Sequence, residues 1–63
     1  MDKYEYIEKL LNIAYKNTLC IDKDFKIKNS KELTLFYIKQ KNKNLYNKNT
    51  IEYINNYNFD KFN

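Results

Sequence analysis

No staple is open to this chain. Cys20 is its only cysteine and it contains no histidine, so an intrachain disulfide and a histidine-based zinc site are both excluded. With 63 residues the chain is one domain, 1–63. A domain of that size buries only about 60% of the surface exposed on unfolding, so its core is marginal unless a partner completes it. Cys20, between Leu19 and Ile21, reads as a small buried hydrophobe, compatible with a reducing cytoplasm. No apolar run approaches the roughly 18 residues of a membrane span, and no signal-peptide core is recognisable near Met1. The expected location is therefore cytoplasmic, without a membrane partner.

Local pattern predicts an N-terminal helix over 3–17. Asp2 suits an N-cap and Glu5 follows three residues later, as in a capping box. Tyr4, Ile7, Leu11 and Ala14 keep helical spacing, and Tyr6, Leu10, Ile13 and Tyr15 widen the apolar stripe to roughly 200° of the circumference. One packing neighbour does not need a stripe that wide. The helix either lies between two elements or presents one flank to another chain.

Over 18–28 the period changes. Leu19 and Ile21 alternate with polar neighbours, Asp22-Lys23-Asp24 interrupts, and Phe25 and Ile27 alternate again. Alternation around an aspartate-rich turn predicts a short β-hairpin, with a loose connection because the glycine of a tight turn is missing. Ser30 then suits the cap of a second helix over 31–43, with Glu32 in its first turn. The hexapeptide 33–38 is the most hydrophobic part of the chain, expected to be largely buried, and it also has strand propensity. Thr50 suits the cap of a final helix carrying Ile51, Tyr53, Ile54 and Tyr57, with Phe59 and Phe62 folding back or left for a partner. The expected class is thus α+β: a helix, a short hairpin, then two helices. The alternatives are a third strand at 33–38, giving a helix, a three-stranded meander and a helix, or a small all-α bundle.

The residue inventory argues against catalysis. Without histidine or arginine, and with its one cysteine in an apolar setting, the chain cannot assemble the usual nucleophile–base pairs. Asp22 and Asp24 fail as a calcium loop, because Lys26, Ile27 and Leu33 fall where ligands and the turn glycine belong. No catalytic residue, cofactor or metal is expected.

Charge singles out one stretch. Residues 33–49 carry Lys39, Lys41, Lys43 and Lys48 and no acid, equalling the chain's whole net charge of +4. Such a patch is the footprint expected for phosphates or for an acidic protein face, and Tyr46 within it is placed to stack on a base. Yet lysine, asparagine, isoleucine, tyrosine and phenylalanine make up 41 of the 63 residues. A very AT-rich genome favours that set, so codon bias alone would produce such a tract. A helix-turn-helix fits poorly: Lys41 falls where its first helix needs a small residue and Leu45 where the turn favours glycine. The seven tyrosines exceed the needs of one small core, and tyrosine is enriched at interfaces. Tyr53 and Tyr57, one turn apart, form the best strip.

These features predict a non-catalytic binding module that occupies a surface of a larger host protein or nucleoprotein machine. By analogy of size and composition, small phage and mobile-element inhibitors, anti-CRISPR and other anti-host factors among them, work this way. The alternative is a small DNA- or RNA-binding regulator. The expected contact residues are Lys39, Lys41, Lys43, Tyr46, Lys48, Tyr53 and Tyr57. A homodimer in which the wide first-helix face supplies missing core fits either reading.

Overall fold

Where the caps fall decides the architecture. The computed structural model describes residues 2–62, with side chains as far as Asp60. Helix α1 spans Lys3–Asn17, α2 Lys23–Lys41 and α3 Lys48–Asn55, with single 3-10 turns at Lys43–Leu45 and Phe59–Phe62. The described residues contain no strand. The expected α+β class is overturned in favour of the small all-α bundle, its last alternative.

Helix α1 has the expected bounds. The Asp2 carboxylate accepts a hydrogen bond from the Tyr4 N–H at 3.3 Å. At the other end Thr18 donates both its N–H and its hydroxyl to the Ala14 carbonyl, at 3.1 and 2.8 Å.

The expected hairpin is replaced by a short link and the start of α2. Asp22 accepts from the N–H groups of Asp24 and Phe25 at 3.0 and 3.3 Å, and Asp24 adds a charge favourable to the helix dipole. The aspartate pair is therefore a helix start rather than a strand turn. Leu19 and Ile21 are fully exposed on the link, so their alternation marks no buried sheet face, and Cys20 is exposed rather than buried. Ser30 is no cap either: it lies inside α2 with its hydroxyl donating to the Lys26 carbonyl at 2.7 Å. Residues 33–38 are helical, which removes the third-strand alternative, and α2 covers 23–41 rather than 31–43. The last cap also shifts. Asn47 accepts from the Thr50 N–H at 3.0 Å, so Thr50 sits buried in the first turn of α3 instead of preceding it.

Helices α1 and α2 pack antiparallel. At one end the Lys26 Nζ lies 4.4 Å from the centroid of the Tyr15 ring and Asn29 donates to the Thr18 hydroxyl at 3.0 Å; at the other Tyr6 lies beside Tyr37. Helix α3 and the tail cover one side of this pair. Tyr53 meets Tyr4 at 4.8 Å between ring centroids, Phe59 stacks on Tyr15 at 4.8 Å, and Lys31 donates to the Asn55 carbonyl at 2.7 Å. The core consists of Ile7, Leu11, Tyr15, Ile38, Ile54 and Phe59. Burying an aliphatic or phenyl side chain of this size contributes about 1.5–3 kcal/mol. Phe59 has folded back, as one reading of the tail required, while the side chain of Phe62 lies outside the described residues.

Helix α2 is unusual in what it turns inward. Its buried residues are Ser30, Thr34 and Ile38, whereas Leu33, Phe36 and Tyr37 are exposed. The hexapeptide is thus not largely buried. A helical segment with apolar residues on every side, as 33–38 is, needs neighbours on every side, and the fold covers only one flank of the α1–α2 pair.

Candidate binding surface

The basic segment is spread around the end of the bundle where α2 meets α3. Lys39 and Lys41 lie in the last turn of α2, where cations complement the helix dipole. Being two residues apart they point about 200° from one another, to opposite sides of the helix. Lys39 reaches back to Tyr46, its Nζ 5.7 Å from the ring centroid. Lys41 goes the other way, to the rim of a groove between α1 and α2. Lys43 lies in the 3-10 turn and Lys48 opens α3, and both are exposed. One continuous segment of sequence therefore supplies at least two separate charged places.

Tyr53 and Tyr57 are half-buried and belong to an aromatic row running Tyr4, Tyr53, Tyr57, Phe59 and Tyr15. Successive ring centroids are 4.8, 5.8, 5.1 and 4.8 Å apart. The row seals α3 and the tail onto α1. Its outer edge, with Asn49, Glu52 and Asn56, lines a shallow depression of about 470 Å³. Only these edges reach solvent, so the strip gives up much of its contact area to the fold.

Sequence reasoning placed no site on the opposite side of the helix pair. A groove of about 450 Å³ runs there between Leu10, Ile13 and Ala14 of α1 and Leu33, Thr34, Phe36 and Tyr37 of α2, with Gln40 and Lys41 at one end. Lys41 is the only charged side chain in its lining. At that end burial, the nearby Tyr37 and a hydrogen bond to Tyr37 raise the pKa of the Tyr6 phenol above its usual value. The signal lay mainly in the hexapeptide 33–38, whose apolar residues point to every side of a helix. The α1 stripe, too wide for one neighbour, is met by α2 together with α3 and the tail, with Ile13 left exposed. Charge drew attention to the lysines instead.

Among the described residues no cluster of histidine, cysteine, aspartate or glutamate is arranged to hold a metal, and no helix is long and apolar enough to cross a membrane. Comparison of the chain with protein-family models, with curated proteins and with solved structures found no match.

Proposed function

We propose that this chain is a non-catalytic binding module that seats on a larger protein, using the α1–α2 groove as its contact. One observation carries the reading: α2 turns Ser30 and Thr34 into the core and leaves Leu33, Phe36 and Tyr37 outside. The partner segment that suits such a groove is an amphipathic helix. The described part of the chain has no strand, so it offers no sheet edge to an extended peptide. An extended segment pressed into an apolar groove would leave its own backbone polar groups unsatisfied, whereas a helix satisfies them internally. Small size and the lack of a catalytic grouping agree with an inhibitor or adaptor that blocks a working surface, including the anti-host class.

The nucleic-acid reading has weaker support, because Lys39 and Lys41 diverge and do not build one phosphate-facing surface. Affinity capture from nuclease-treated host extract, compared across variants, separates the two. Leu33→Glu with Phe36→Glu is expected to weaken capture by about thirtyfold or more, as for loss of central contact residues. The set Lys39→Gln, Lys43→Gln and Lys48→Gln leaves capture largely intact. The groove reading fails if the chain instead binds duplex or single strands at about 50 mM salt, with a steep salt slope that the lysine set flattens. Indifference of capture to the glutamates would sink it equally.

A further inference from the structure

We infer that in the free protein the groove is covered by a second copy of this chain, with the two α2 helices antiparallel about a twofold axis at Leu33. The inference rests on the groove being a docking surface, as proposed above, and adds what occupies it before a larger partner displaces the copy.

Area points to a cover. Ile13, Phe25, Leu33, Phe36 and Tyr37 are 57%, 52%, 49%, 63% and 44% exposed. Large side chains of this class carry about 150–250 Å² each, so together they present roughly 500 Å² of contact surface. That is near the upper limit for the largest apolar patch on a monomer, about 600 Å². A stable dimer buries about 800 Å² per chain, and the exposed Gln40 and Lys41 at the end of the groove add their surface to the apolar area.

Spacing points to α2 as the seam. Phe25, Asn29, Leu33, Phe36 and Gln40 follow one another at steps of four, four, three and four residues. Steps of three and four keep one stripe aligned on a helix and are those of paired helices packing side chain into hole. Leu33 stands at the middle of this stripe, and α2 is the longest helix. Two α1–α2 pairs meeting on this stripe form a four-helix layer, with α3 on each outer side.

Charge points to the antiparallel arrangement. A twofold interface sets one patch against itself, so it must tolerate its own charges. The groove lining holds one charge, Lys41, eight residues from Leu33, and Glu32, exposed beside Leu33, flanks the seam on its solvent side. Antiparallel α2 helices put the two Lys41 backbones at opposite ends of the seam, about 24 Å apart and well beyond the screening length of about 8 Å. A parallel pairing would set them side by side.

The test uses the intact chain. Light-scattering or sedimentation mass at high concentration is expected to be twice that of one chain. Phe36→Glu should raise the dimer dissociation constant at least about tenfold without changing helical content by circular dichroism, and Phe25→Ser, also at an exposed position, should weaken it in the same direction. In a Cys20→Ser background, Leu33→Cys is expected to cross-link chain to chain under mild oxidation, since a residue on the axis faces its own copy. A monomer mass at every concentration overturns the inference, as does a dimer that survives Phe36→Glu or fails to cross-link through position 33. These readouts involve no other protein: a monomer that still captures its partner removes only the self-pairing, and a dimer that captures nothing removes only the partner reading.

Discussion

On one side of the α1–α2 pair Ile7, Leu11 and Tyr15 are sealed beneath Ile54 and Phe59; on the other Ile13, Leu33 and Phe36, just as apolar, face solvent. The first side is closed by a short helix and a tail, both held through aromatic contacts. The second is left open by the same chain, which had polar residues available and put Ser30 and Thr34 inside instead. Fold stability accounts for the closed side. It does not account for the open one, where charged or small residues would serve a monomer better. An apolar side that the fold does not use is the feature that the proposed contact would explain.

The largest effect that breaks or upholds this contrast comes from one truncation made on each side. Ile54→Ala empties a fully buried site and is expected to cost about 2–5 kcal/mol, a large share of what a domain this small possesses. Ile13→Ala, on the open side, is expected to change the stability of the monomer by no more than about 0.5 kcal/mol. Urea unfolding at high dilution measures both. Comparable losses at the two positions would mean that the open side belongs to the core after all.

A smaller, opposite effect is expected at the boundary between the sides. Thr34 is buried between the helices, lines the groove, and its hydroxyl has no hydrogen-bond partner among the described residues. Thr34→Val keeps the shape and removes the unpaired group, so it is expected to stabilise the chain by about 1 kcal/mol. Loss of stability in the same unfolding experiment would show that the hydroxyl is used. The closed side would then reach further into the groove than the contrast allows.

How much of this was legible in the sequence depended on whether the deciding interaction was local. Helix α1 was readable because its cap and its spacing lie within a few residues of one another. The start of α2 was misread because Leu19, Ile21, Phe25 and Ile27 mimic the period of a strand. Asp22 settles the matter by capping the N–H groups of Asp24 and Phe25, and an aspartate in that position serves a turn and a helix start equally well by sequence. Asn47 and Thr50 are both good caps, and the choice between them is made by the packing of Thr50 against the rest of the bundle. For the site, counting charge along the chain grouped Lys39 with Lys41, although a helix sends them to opposite sides. The width of the α1 stripe was the better guide. It pointed to a second neighbour, which α3 and the tail supply to α1 through Tyr53 and Phe59, and Ile13 is the part of the stripe left facing the groove.

The smallest effect concerns the open side alone and is read through pH. Burial, the proximity of Tyr37 and a hydrogen bond to it hold the Tyr6 phenol neutral to higher pH than in an unfolded chain. Below about pH 10, the usual tyrosine value, both states keep the proton and stability is independent of this group. Above it the unfolded chain ionises first. The folded state then binds more protons, and stability falls as pH rises through the folded pKa. Lysines titrate in the same range, so the comparison that isolates Tyr6 is with Tyr6→Phe, followed by urea unfolding from pH 9 upwards. The variant is expected to lose less stability than the parent across this alkaline window and to match its slope at neutral pH. An equal alkaline loss would mean that the Tyr6–Tyr37 pair does not persist in solution. The open side would then lack the contact between Tyr6 of α1 and Tyr37 of α2 at the lysine end of the groove.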